Sequence, residues 1–170
     1  MIKLANGRGQ LGESLKKLIQ DKHIEKEVFV YHTWNPWDKD QTSQKKEYEK
    51  FINFVEQNKE NRIIFISTYS QDNNYYVHYK QLSESYLLQN CQDCLVLRLP
   101  SLVGNKGILK KFKDDVVSPY GSLELMPLVE ASKKIFDLLD YDGLAKIITL
   151  KGEQISAFLV KDIVNKLTRD

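Results

Sequence analysis

"RIIFISTYSQDNNYYVHYKQLSE", residues 62–84, sets the fold class of this 170-residue chain. Its first seven residues, Arg62 to Thr68, form an almost unbroken apolar run. A strand with one wet face alternates apolar and polar residues, whereas a continuous run fits a central parallel strand covered on both faces. The pattern then changes. From about Tyr76 to Asn90 the spacing is helical, with Leu87 and Leu88 apolar, so the stretch reads strand, loop, helix. Thr68 closes the strand at its carboxyl end, where open α/β sheets bind ligands. Tyr76 and Lys80 stand four apart, on one face of the helix. A cation beside a phenol favours the phenolate and lowers its pKa from the usual ~10. A tyrosine so tuned exchanges a proton with a sugar or alcohol oxygen near neutral pH. Tyr75 and Tyr79 have the same spacing, and an ordinary aromatic start to a helix reads equally well from spacing alone.

Outward from this stretch, strands alternate with helices. "MIKLA" (1–5), "EVFVYH" (27–32), "CLVLRLP" (94–100) and "AKIITLKG" (145–152) are strand candidates. "ESLKKLIQ" (13–20) puts Leu15, Leu18 and Ile19 on one helical face, and residues 43–59 do the same with Tyr48, Phe51, Ile52 and Val55. "MPLVEASKKIFDLLDYDG" (126–143) predicts a helix with Pro127 near its start and Gly143 just past its end. "ISAFLVKDIVNKL" (155–167) predicts a last helix, capped by Ser156, with Val160, Ile163, Val164 and Leu167 on one face. Residues 101–122 are polar and read as loop with room for one short helix. The alternation predicts an α/β fold around a parallel sheet.

Composition narrows the function. Hydrophobic residues make up 42% and charged residues 28%, as in a globular chain. The 25 basic and 23 acidic residues leave a net charge of +2, too balanced to point to nucleic acid or an anionic membrane surface. No apolar run reaches the about 18 residues that span a bilayer, and no leader is evident, so a cytoplasmic protein is expected. The cysteines, Cys91 and Cys94, are spaced C-x-x-C. They read as two reduced thiols ahead of a buried strand, or as a redox pair or half of a metal site. The histidines show no ligand spacing, so no metal site is expected.

Between the first strand and first helix lies Gly7-x-Gly9-x-x-Gly12. Glycines let the backbone turn tightly beside a pyrophosphate, whose charge a helix N-terminus favours, and Arg8 is placed to add a contact. The same spacing also makes a tight turn with no ligand. The acidic residue expected about 20 positions on, at the end of a second strand, is missing: Asp21, Glu25 and Glu27 lie at that distance but end no strand.

In order, "MIKLANGRGQLG", "EVFVYH", "RIIFIST", "YVHYKQLSE" and "LVLRLPSLVG" resemble the extended short-chain dehydrogenase/reductases, most of all the nucleotide-sugar epimerases and dehydrorhamnose reductases. The resemblance covers nearly the whole chain. It implies a Rossmann-like, doubly wound parallel sheet and an NAD(P)-dependent reductase or epimerase of a nucleotide-linked sugar, of the kind used in polysaccharide biosynthesis. It makes Tyr76 the acid/base, Lys80 the residue that tunes it and holds the cofactor ribose, and Thr68 the substrate-positioning hydroxyl. It assigns Gly7, Arg8, Gly9, Gln10, Leu11, Gly12 and Thr33 to NAD or NADP, and Trp34 with Thr68 to the substrate. Arg98 and Gly104 fall on family positions, and Arg98 reads as structural.

Family chains are far longer. Here the second and third strands of the order 3-2-1-4-5-6 are absent, which leaves a contiguous but reduced sheet. Residues 1–170 are expected to form one truncated domain, with 101–128 a vestige of the substrate subdomain. The first strand becomes an edge, so a homodimer or another partner is expected there. A catalytically degenerate sugar-nucleotide-binding or accessory protein is the alternative, and a phosphate or mononucleotide binder using only the glycine turn is a third reading.

Overall fold

The computed structural model describes residues 1–5, 9–20, 22–104, 112 and 120–167. Five parallel strands form the main sheet: β1 (Ile2–Leu4), β2 (Val28–Tyr31), β3 (Arg62–Thr68), β4 (Cys94–Leu99) and β7 (Ile147–Thr149). Their order is β1-β2-β3-β4-β7, in line with the reduced sheet expected. Three short strands make a second sheet: β5 (Ser101–Val103) lies parallel to β6 (Ser122–Pro127), and β6 antiparallel to β8 (Glu153–Ser156).

The apolar run of β3 is explained by its two covered faces. Ile64 and Ile66 join Leu15 of α1 (Gln10–Ile19) and Ile135 of α4 (Leu128–Asp137) in one core layer. Ile63 and Phe65 join Phe51 and Val55 of α2 (Gln41–Asn58) and Leu87 of α3 (Tyr75–Asn90) in the other. Successive side chains of a strand point to opposite faces, so a strand covered twice must be apolar throughout. Two side-chain caps fix where the helices start: Asp40 accepts from the amides of Thr42 and Ser43, and Asn74 from that of Val77 at 3.0 Å.

The polar stretch after residue 100 departs from expectation. Ser101–Val103 is a strand, not loop, and Ser122, the last residue of the expected loop, opens a strand that runs to Pro127. They are short and mixed in polarity, and their stability comes from partners 24 to 34 positions away, which leaves little local signal. Met126 and Pro127 end β6, so the helix begins at Leu128. It stops at Asp137 and unwinds through single turns, so Gly143 is not its stop. In α5 (Ala157–Leu167), Ala157, Val160 and Val164 are buried with Leu125 and Phe112. Ile163, expected on that face, is 47% exposed, and Leu167's side chain lies outside the described residues. Ser156, expected as the cap of α5, closes β8.

Candidate functional site

In a parallel sheet all carboxyl ends share one edge, and there the chain opens a crevice. The loop after β2, the ends of β3 and β4 and the start of α3 enclose a cavity of about 350 Å³ lined by Thr68, Tyr76, Lys80, Trp34, His32 and Leu11, among others. A second hollow of about 450 Å³, lined by Gly9, Gln10, Leu11, Glu13, Trp34 and Gly104, shares Leu11, His32, Trp34, Pro36, Trp37 and Leu102 with the first. The two are one continuous groove from the start of α1 to the start of α3.

Asn74 caps α3 so that Tyr76 falls in its first turn and faces the cavity, while Tyr75 is 46% exposed. Spacing alone left those two tyrosines open; their burial separates them. Tyr76's hydroxyl makes no hydrogen bond among the described residues. Burial pushes its pKa up to about 12. The lowering by Lys80 expected from sequence is therefore not what the structure displays. Lys80 is 4% exposed. Its Nζ donates to the Ile66 carbonyl at 2.7 Å and lies 4.5 Å from the ring centre of Trp34 and 4.6 Å from that of Phe65. Burial pushes the ammonium down to about 7, against the pull of Glu84 and Glu47. A cation spent in this way on a carbonyl and two aromatic faces does little for a phenol one turn away.

This makes stability depend on pH. Unfolded lysine titrates near 10.5 and Lys80 near 7. Between these values the unfolded chain holds a proton that the folded chain has released, so stability rises with pH. Urea unfolding is expected to show the rise from pH 7 to 9, and Lys80→Met to flatten it. Cys94, also pushed down to about 7, contributes in the same direction, so the difference between the two proteins isolates Lys80. Parallel pH profiles would show that Lys80 stays charged when folded.

Thr68 lines the cavity, and its Oγ1 accepts from the Ser70 amide at 3.2 Å, which leaves its own O–H to donate outward. Trp34 is held by a buried anchor that sequence gave no sign of. Gln44 of α2 accepts from the Trp34 indole N–H at 2.7 Å and donates to the carbonyls of Asn35, at 2.8 Å, and Asp38. One glutamine thus fixes the loop that roofs the crevice.

Beneath the site is a buried polar cluster. Glu84, 3% exposed, accepts from Ser67 Oγ at 2.5 Å and from Arg98 through Nε at 3.1 Å and Nη2 at 2.5 Å. Arg98 is structural, as expected, and the cluster ties α3 to β3 and β4.

The glycine turn is more divided. Gly7 and Arg8 lie outside the described residues, as does Asp21. Gly9 precedes α1 in an extended conformation, with no side-chain cap and open space where a Cβ would stand. Gln10 and Leu11 line the groove. Gly12 instead is buried against His32: a Cβ there would lie 2.2 Å from His32 Nε2. This glycine lets α1 approach β2 closely. His32 was not singled out by sequence. Its Nδ1 is 3.4 Å from the Val30 carbonyl, its Nε2 is buried without a partner among the described residues, and burial lowers its pKa, which keeps the ring neutral.

Thr33 is corrected. It lines a separate hollow beside β1 with Tyr31, Phe29 and Phe54, and its hydroxyl meets that of Tyr31. Side chains alternate as the chain leaves β2, so Thr33 shares the α2 side with Tyr31 while His32 faces the groove. Glu27, an alternative to the missing ribose acid, is paired with Lys3 at 2.6 Å and lines neither part of the groove.

No family model and no curated protein sequence matches the chain. Solved structures do. A dTDP-4-dehydrorhamnose reductase from Clostridium acetobutylicum is similar over 98% of this chain and 80% of that one, with 14% identity and a TM-score of 0.79. A UDP-N-acetylglucosamine 4-epimerase from Bacillus cereus is similar over 97% of this chain and 83% of that one, at 14% identity and TM-score 0.67. The Bordetella bronchiseptica enzyme WbmG, solved with NAD, is similar over 99% of this chain and 78% of that one, at 14% identity and TM-score 0.71. At 14% identity the likeness to these neighbours is one of fold. The chain has their α/β, Rossmann-like fold, in a short and reduced form. Among the described residues no helix is long and apolar enough to cross a membrane, and no cluster of metal-ligating side chains is found.

Proposed function

We propose that the chain is a reduced NAD(P)-dependent reductase or epimerase of a nucleotide-linked sugar. The observation that carries this reading is the meeting of Thr68, Tyr76 and Lys80 in one cavity that runs on to the start of α1. The nicotinamide half of a dinucleotide fits these residues. Open space at Gly9 and the uncapped first turn of α1 suit a pyrophosphate. Lys80, when charged, has N–H donors beyond the one given to Ile66, for a ribose hydroxyl. A bound nicotinamide supplies or removes hydride at a sugar carbon. Tyr76, held protonated by burial, is then the proton donor to the sugar oxygen, and Thr68 positions that oxygen by its outward O–H. Trp34 forms an apolar wall beside them. In this reading residues 1–170 are one shortened domain, 101–128 hold what remains of a substrate subdomain, and the protein works in the cytoplasm.

Calorimetric titration of the purified chain with NAD, NADH, NADP and NADPH tests the reading. Saturable micromolar binding of at least one is expected. No heat at millimolar cofactor would end the hydride-transfer reading. A second reading, a degenerate sugar-nucleotide-binding or accessory protein, is favoured by the engagement of Lys80 with Ile66 and the packing of His32 on Gly12. It expects heat from a UDP-sugar and none from the dinucleotides.

The open edge of β1 suits a second copy of the chain. Val28 donates to the Met1 carbonyl and Ala5 to that of Val30, so the odd residues of β1 face β2. The backbone groups of Ile2 and Leu4 therefore face outward, and no strand among the described residues pairs with them, which leaves that edge open to another strand. A dimer in sedimentation velocity that Leu4→Pro dissociates is expected; a monomer at all concentrations overturns this part.

A further inference from the structure

The two cysteines lie at the opposite end of the sheet from the groove. Cys91 follows α3, its amide donating to the Leu87 carbonyl, and Cys94 opens β4. The chain bends at Gln92 and Asp93. That bend brings Cys94 Sγ to 3.2 Å from the Cys91 carbonyl, to which it donates, and sets the two thiols near one another. Both are free and buried, Cys91 3% and Cys94 6% exposed.

We propose that Cys91 and Cys94 form a redox-active dithiol that closes to a disulfide by exchange with a small-molecule disulfide, Cys94 being the attacking sulfur.

The two sulfurs are not equivalent. Cys94 lines a cavity of about 380 Å³ whose walls include Lys26, Arg62, Asp93 and Lys146. Cys91 is walled in by backbone, its Sγ directed at the carbonyls of Lys59 (3.5 Å), Asn61 (3.7 Å) and Asp93 (3.5 Å). Arg62 and Lys146 are held beside Cys94 by short contacts, while Lys26 is largely exposed. Arg62 pairs with Asp93 at 2.6 Å, Lys26 approaches the same carboxylate at 3.8 Å, and Lys146 donates to the Gln92 carbonyl at 2.6 Å. Arg62 Nε is buried without a partner among the described residues, so the guanidinium is not fully spent on Asp93. The neighbouring Cys91 thiol, with Lys146 and Arg62, favours the Cys94 thiolate, against burial and Asp93, while the proximity of Cys94 and burial raise Cys91. A thiolate at the wall of an electropositive pocket beside a second thiol is the arrangement that exchanges with disulfides.

The steps balance. The Cys94 thiolate attacks one sulfur of a small disulfide; that S–S bond breaks, and one thiolate leaves with the electron pair. The Cys91 thiol gives its proton to the departing thiolate and attacks the Cys94 sulfur, which expels the second small thiolate. The protein pair is oxidised by two electrons, and the small disulfide is reduced to one thiol and one thiolate, the second taking its proton from water.

The test is a titration of the native, reduced chain with oxidised and reduced glutathione at varied ratio, with acid quenching and intact mass measurement. Wild type is expected to convert reversibly to a species lighter by two hydrogens, which can only join these cysteines, since the chain has no others. Cys91→Ser is expected to trap a stable glutathione adduct, and Cys94→Ser to form none while folded. Wild type that keeps the dithiol mass at every ratio, or gives only adducts or linked dimers, overturns the proposal without reference to the variants. Equal adduct formation by both folded variants overturns the assignment of Cys94 as the attacking sulfur.

Discussion

Tyr76→Phe is expected to lower turnover of a nucleotide-sugar substrate by about 10²- to 10⁴-fold, the usual contribution of a positioned proton donor. Cofactor affinity and stability should change little. The hydroxyl makes no hydrogen bond among the described residues, so its loss strands no partner among them, and the ring that fills the α3 side of the cavity remains. The variant therefore separates chemistry from binding: kcat falls while KM holds. A phenol pushed up to about 12 is a donor, suited to protonating the oxygen of a carbonyl under reduction. With KM held, the fixed equilibrium constant of the reaction makes the loss the same in the oxidising direction. Turnover of Tyr76→Phe indistinguishable from wild type would show that another group moves the proton.

The second large effect is on stability. Glu84→Ala removes the acceptor of both Ser67 and Arg98 and leaves a guanidinium and a hydroxyl without partners in the interior. Breaking a buried ion pair from one side costs about 3–5 kcal/mol. Arg98 retains some solvent, which places the expected loss near the lower figure. That is a large share of the about 5–15 kcal/mol that holds a typical domain. The loss should appear as a lower midpoint in urea with little change in slope. Glu84→Gln keeps an acceptor for Ser67 and should lose less. A loss below about 1 kcal/mol for Glu84→Ala would show that water reaches the vacated pocket and solvates Arg98.

The sequence by itself determined the main sheet. An unbroken apolar run such as 62–68 has one economical home, a strand covered on both faces, and helices at 3.6-residue spacing supply the cover. Those signals are local: they depend on which side chains follow one another, and nothing elsewhere in the chain changes them. The strand-loop-helix order also placed Thr68, Tyr76 and Lys80 at one end of the sheet.

Only the tertiary structure decided the rest. The second sheet has strands too short and too mixed to signal themselves, because their stability lies in pairing between 101–103, 122–127 and 153–156. The state of the site is likewise non-local. The carbonyl of Ile66 that holds Lys80, the two aromatic faces over it, and the burial that keeps Tyr76 protonated come from elements that meet only after folding. His32 against Gly12 and Gln44 beneath Trp34 belong to the same class. Periodicity records which residues are buried. What a buried charge or phenol does depends on the partners brought to it across the sheet, and spacing along the chain does not carry that information.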